Sequence, residues 1–206
     1  MGIQERRQRE RQLRRSQILD AARHLLIQKG ISNTSVSDIA HDAEVSVGTV
    51  YLYFRNKEEI LSAIHEEGMR LLRDRISGAI AAGEDAVTRL KNIGNAYRDF
   101  GADGKSHFDA FSYILAFPGV LFADESRLSL GEDGSQILDM VARVISDGTD
   151  RKIFRDVDAR KYAILMWSTL HGILQLRKVS DLLSPDHDFD EFYRYNLDYL
   201  IESITR

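Results

Sequence analysis

The sequence predicts an all-α protein, and three observations carry that expectation. The 206 residues contain only two prolines, the residue that breaks a helix by removing a donor and clashing with the preceding turn. Ala, Leu, Arg and Glu, all strong helix formers, are abundant. Apolar residues recur at spacings of three and four along most of the chain, which is the period of a helix face and not the alternation of a strand. The pattern predicts about nine helices.

The length suits one large or two small domains, and a hydrophobic fraction of 43% supports an ordinary core. The absence of cysteine excludes disulfides and thiolate zinc or iron–sulfur centres. No apolar run reaches membrane-spanning length and the first residues hold no apolar signal core. A soluble cytoplasmic protein without membrane contact is the expectation. Residues 1–57 carry ten Lys/Arg, among them Arg6, Arg7, Arg9, Arg11, Arg14 and Arg15, against six Asp/Glu, a net of +4. The remainder carries eighteen against twenty-six, a net of −8. A basic head on an acidic body points to a polyanion partner at one end; a solubilising arginine-rich tail accounts for the composition equally well.

Residues 1–13 form a polar basic arm, either frayed or an extension of the first helix. Ile18, Ala21, Ala22, Leu25 and Leu26 predict a helix over 14–29, closed by Gly30. Ser35 and Asp38 form an N-cap and its return partner for a helix over 36–43. Ser46 caps a second short helix over 47–53. There Val47, Val50, Tyr51 and Phe54 lie at i, i+3, i+4 and i+7, so a helical stripe overrides the β-favouring composition. Asn56 caps a helix over 57–82 with Glu59 as reciprocal partner; at 1.5 Å per residue it is roughly 39 Å long and reads as a connector between two bodies. Further helices are expected over 84–100, 106–117, 124–130 (a short one), 133–147, 158–178 and 188–205. The division follows as a head over 1–56 and a body over 57–206.

Helices 36–43 and 47–53 are joined by a three-residue turn. That is a helix-turn-helix arrangement, whose last helix enters the major groove of DNA. Hydroxyls of Ser35, Ser46, Thr49, Tyr51 and Tyr53 and the Lys57 amine gather at helix starts, suited to phosphate oxygens. Gly48 costs about 1 kcal/mol in a helix interior and leaves a gap through which a base edge or phosphate can approach.

"TSVSDIAHDAEVSVGTVYLYFRNKEEIL", preceded by "ILDAARHLLIQKG", resembles the TetR family of bacterial transcriptional regulators over about residues 14–64. The resemblance implies a homodimer, most often a repressor, that binds a palindromic operator and is released by a small ligand. It assigns phosphate contacts to Ser35, Ser46, Thr49, Tyr53 and Lys57. It places Val47, Gly48, Tyr51 and Leu52 against base edges, with Tyr51 able to serve either purpose and Val50 and Phe54 as core. Position 47 is often lysine or a polar residue in the family; Val47 and the apolar Leu52 would lean on thymine methyls instead of bidentate hydrogen bonds.

In the body, the segment over 158–178 is apolar on nearly every face, and 188–205 carries an amphipathic stripe. Two such helices from each chain would form a four-helix homodimer interface, as the family does. Trp167, His171 and Gly172 make a W…HG pattern that resembles one subgroup of the family. Trp167 and His171 either line a ligand pocket or pack together near the dimer seam, with Gly172 admitting a close helix. Tyr97, Phe100, Phe108, Phe111, Phe117 and Met140 are available to line a cavity, and an aromatic lining suggests an apolar or aromatic effector.

An enzyme is not expected. The chain has no G-x-S-x-G elbow, H-E-x-x-H or P-loop. No cofactor is implied, and the scattered His65, His107 and His187 make no metal-ligand set. The competing reading is an architectural DNA binder that answers to no effector.

Overall fold

The structure is a computed structural model that describes residues 2–30, 32–102, 107–116, 124–177 and 188–206, with 124–131 described by their backbone only. Among these residues there are nine helices: α1 Ile3–Lys29, α2 Val36–Asp42, α3 Val47–Tyr53, α4 Lys57–Ala81, α5 Ala86–Ala102, α6 His107–Ala116, α7 Asp124–Asp150, α8 Ala159–Leu176 and α9 Phe189–Ile204. The all-α expectation holds. Phe117, expected among the ligand-binding residues, lies outside the described residues. None of the described helices is long and apolar enough to cross a membrane.

The chain divides into two compact units, one of residues 1–68 with 105–130 and one of 69–104 with 131–206. In the first, Ile18, Ala22, Leu25 and Leu26 of α1 share one core with Ile39 of α2, Val50 of α3, Ile60 and Ile64 of α4, and Ala110 and Ile114 of α6. Arg23 is buried in α1 and forks to Asp20 and to Glu67 of α4, both at 2.8 Å, which satisfies a charge that would otherwise be costly to bury.

The second unit shows why two of its glycines are there. A Cβ on Gly94 of α5 would lie 2.3 Å from Leu197 of α9, and the Tyr193 hydroxyl donates to the Gly94 carbonyl at 2.8 Å. A Cβ on Gly148 would lie 2.2 Å from the fully buried Phe154 ring. The end of α9 is tied to the turn after α7 by Arg155 N–H to Ile204 O at 2.7 Å and Arg206 N–H to Ile153 O at 3.0 Å.

Of the two alternatives for the arm, the extension of the first helix holds: α1 starts at Ile3, because the arm is itself built of helix formers and braced by a Gly2–Glu5 cap at 3.0 Å and an Arg6–Glu10 pair at 3.1 Å. Three local expectations need correction. The helices expected over 124–130 and 133–147 are one helix, α7. Gly131 and Gly134 cost about 1 kcal/mol each. Buried Ile137, Val141 and Ile145 outweigh that cost, and so do arginines that grip the turn just after Gly134. Arg73 donates to Gln136 at 3.2 Å, and Arg160 donates to the carbonyl and hydroxyl of Ser135, both at 2.9 Å. The stripe on α3 is narrower than expected: Val50 and Phe54 are buried, but Val47 and Tyr51 are exposed. Finally, Asn56 Oδ1 accepts from Glu59 N–H at 2.8 Å as expected, yet Glu59 Oε2 reaches past Asn56 to the Arg55 N–H at 2.6 Å.

Candidate nucleic-acid interface and effector site

The turn between α2 and α3 is set by backbone hydrogen bonds. Val45 N–H bonds to Ala40 O at 2.9 Å and Glu44 N–H to His41 O at 3.1 Å, with Glu44 at φ 53°. This is a Schellman closure carried by a non-glycine residue in the left-handed region, at a cost of roughly 1–2 kcal/mol. It delivers Ser46 to the N-cap of α3, where its Oγ accepts from Thr49 N–H at 3.0 Å. Ser46 Oγ also lies 2.8 Å from Thr49 Oγ1. One hydroxyl donates to the other, so one hydroxyl proton of the pair remains for an acceptor beyond it.

The outer face of α3 is bare. Val47 is 38%, Tyr51 54% and Leu52 77% exposed, Gly48 is exposed and Thr49 and Tyr53 are half-buried. A Cβ on Gly48 would meet nothing closer than Ser46 Oγ at 3.7 Å. Among the described residues nothing therefore requires glycine there, unlike Gly94 and Gly148.

A cleft of about 410 Å³ at the start of α2 is lined by Ser32, Asn33, Thr34, Ser35, Val36 and Lys57. Lys57 Nζ donates to Thr34 O at 3.0 Å, which aims the ammonium into this cleft at the first turn of α4. Ser35 is more committed than the sequence suggested. Its hydroxyl and its N–H both donate to Asp38 Oδ2, at 2.6 and 2.9 Å, and its Oγ accepts from Asp38 N–H at 3.1 Å. Hydrogen bonds from Ser35, side chain before backbone, hold the Asp38 carboxyl below its ordinary value, and Lys29 lies 3.6 Å away.

In the second unit, Tyr97, Trp167 and His171 come together. Trp167 Nε1 donates to the Tyr97 hydroxyl at 3.2 Å, that hydroxyl lies 2.7 Å from His171 Nδ1, and the Trp167 and His171 rings are 5.5 Å apart. Burial pushes the Tyr97 phenol well above its ordinary value and pulls the His171 imidazole below its own, so the cluster holds a neutral hydroxyl and favours neutral imidazole. Gln175, 3.3 Å from His171 Nε2, extends it; its position one turn beyond His171 on α8 is the signal that could have found it. Phe100 is buried with Arg75 5.8 Å above its ring. Met140 lines an open cleft of about 320 Å³ with Ile80, Arg89, Arg143, Val144, Asp147 and Arg151, whose guanidiniums carry no local motif. Phe108 and Phe111 are buried in the first unit, Phe111 with its ring 5.9 Å from His65. Gly172 is exposed, with nothing among the described residues within 4 Å of a Cβ, so no described helix of its own chain packs closely on it.

A serine-capped second helix with an exposed outer face, delivered by a tight turn onto a helical core, defines a helix-turn-helix protein. Residues 18–64 match the family described as bacterial regulatory proteins, tetR family, and residues 90–200 match the family described as tetracyclin repressor-like, C-terminal domain. The chain belongs to the TetR family of bacterial regulatory proteins. Among curated relatives it is similar to the fatty acid metabolism regulator protein of Bacillus subtilis, 39% identical over 74 residues, 36% of this chain and 38% of that protein. The chain thus aligns with little more than a third of that relative's length. Among solved structures it is similar to a tetR-family regulatory protein from Rhodococcus RHA1, with TM-score 0.78 and 21% identity over 93% of this chain and 97% of the other. It is also similar to AibR, solved with isovaleryl coenzyme A and operator DNA, with TM-score 0.73 and 21% identity over 91% and 98%. At these identities the likeness to the solved structures concerns the fold.

Proposed function

We propose that the chain is a cytoplasmic transcriptional repressor that binds a palindromic operator as a homodimer and is released by a small apolar or aromatic effector. The outer face of α3 carries this reading. It leaves Val47, Tyr51 and Leu52 in solvent and keeps a helix-weakening glycine that no contact among the described residues requires. A base edge or phosphate passing close to Gly48 explains both. Val47 and Leu52 meet thymine methyls, and Tyr51 reaches a base edge or phosphate. The spare hydroxyl proton of Ser46 and Thr49, the Tyr53 hydroxyl and the Lys57 ammonium serve phosphates. Ser35 contributes through its cap rather than as a donor.

The partner surface is the outer face of α8 and α9, where Ile164, Leu165, Leu176, Phe192, Tyr195 and Tyr199 are exposed. A second copy related by a two-fold axis would cover these side chains and match a two-fold operator. The effector lies against Tyr97, Trp167 and His171, where one hydroxyl and one imidazole stand among apolar and aromatic groups. Its differential affinity for the two states of the dimer shifts the population away from DNA.

The test is a binding titration on duplexes selected from a random library, repeated with apolar and aromatic ligands shown calorimetrically to bind. Release of DNA at saturating ligand is expected. A ligand held at Tyr97 and His171 that leaves DNA affinity unchanged overturns the effector part, and failure to select any duplex overturns the whole reading.

A further inference from the structure

We infer that the overhanging first turns of α1 form a second DNA-binding element, an arginine stripe that grips the duplex phosphates flanking each half-site. The inference rests on the operator-binding reading above. At 3.6 residues per turn, Arg7, Arg11, Arg14 and Arg15 fall within an arc of roughly 100° on one side of the helix. All four are exposed. Neither Glu5 nor Glu10 lies on that arc, and Glu10 is turned to Arg6 at 3.1 Å, so the stripe keeps its full positive charge.

The direction of the stripe follows from the same helix. One to three turns further on, this side of α1 carries Ile18, Ala22 and Leu25, which are buried in the head core with Val50 and Phe54. The face that packs into the core shared with α2, α3, α4 and α6 is therefore the face that becomes arginine once the helix leaves the head. Its near end is fixed to the end of α3, because the Arg15 guanidinium sits 5.3 Å above the Phe54 ring, at the C-cap of that helix. From Arg7 to Arg15 the stripe is about 12 Å long, and duplex DNA presents about one charge per 1.7 Å of axis. Arg6 and Arg9 fall outside the arc with Glu5 and Glu10, but a solubilising tail has no need to keep one face free of glutamate.

The test uses the full chain and R7Q/R11Q/R14Q. Glutamine keeps the helix propensity and Arg15 is left to hold Phe54. The affinity of each is measured against salt on a selected operator and on the same operator lengthened by ten base pairs at each end. Wild type is expected to bind the long duplex more tightly and with a steeper salt dependence. The variant should lose that gain, with a slope shallower by about 0.9 for each phosphate contact removed, while keeping the half-site preference. A wild-type chain that binds the short operator and gains nothing from the flanks overturns the inference and leaves the operator reading standing, as does a variant with an unchanged slope. A wild-type chain that binds neither duplex overturns both.

Discussion

The Tyr97 hydroxyl lies 2.7 Å from His171 Nδ1 across two helices, and it also takes the indole N–H of Trp167 at 3.2 Å. One phenol thus ties α5 to both chemical groups of the W…HG segment on α8. Tyr97→Phe keeps the ring and strips Trp167 of its acceptor. Because Trp167 is only half-buried, water can replace part of the loss. The expected cost is about 1 kcal/mol, read as a fall in melting temperature of about 2–4 °C. A melt that coincides with wild type would show that the bond contributes nothing.

His171 makes stability depend on pH. Burial holds its folded-state pKa below the ordinary value. Below about pH 6.5 the unfolded chain therefore takes up a proton that the folded chain resists, and stability rises with pH wherever the unfolded state binds more protons. The contribution is present above that pH and is lost as pH falls through the depressed folded-state value. Melting curves from pH 8 to pH 5 should decline more steeply for wild type than for His171→Gln. Parallel declines would contradict the assignment.

The dimer surface can be charged without touching the fold, because Leu165 and Tyr199 are 50% and 64% exposed within one chain. Leu165→Glu and Tyr199→Glu should each give a monomer in sedimentation equilibrium, with unchanged helical circular dichroism and weaker operator binding. A variant that stays dimeric removes its residue from the interface.

Gly48→Ala should separate stability from function. Alanine in the third helix gains about 1 kcal/mol of helix propensity and meets only Ser46 Oγ at 3.7 Å. Melting temperature should rise by about 2–4 °C while affinity for selected DNA falls. A stabilised variant that binds DNA as well as wild type would leave Gly48 without a functional reason.

The head was largely legible in the sequence, because its signals are local. The Ser35–Asp38 box, the Ser46 cap and the Asn56 cap each act within three residues, and each is found where expected. What sequence missed there depended on the rest of the fold. Periodicity placed Val47 and Tyr51 on the face of Val50, but a seven-residue helix on a small core buries only a narrow strip. In the body, 124–130 and 133–147 read as two helices, and buried Ile137, Val141 and Ile145 together with the distant Arg73 and Arg160 show why α7 continues through Gly131 and Gly134. Trp167 and His171 were visible as a pair at i and i+4; Tyr97, 70 residues away along the chain, was visible only as one aromatic among several.

The most direct test of the central claim, that a dimer reads DNA through the outer face of α3, is selection of bound duplexes from a random library by wild type and by Tyr51→Ala/Leu52→Ala. Both side chains are exposed, so the variant should fold unchanged. Wild type is predicted to enrich an inverted repeat whose half-sites lie about one helical turn apart or a multiple of it, and the variant to lose that base preference while keeping salt-sensitive binding to phosphates. No enriched repeat with wild type, or the same repeat enriched equally by the variant, would contradict the account.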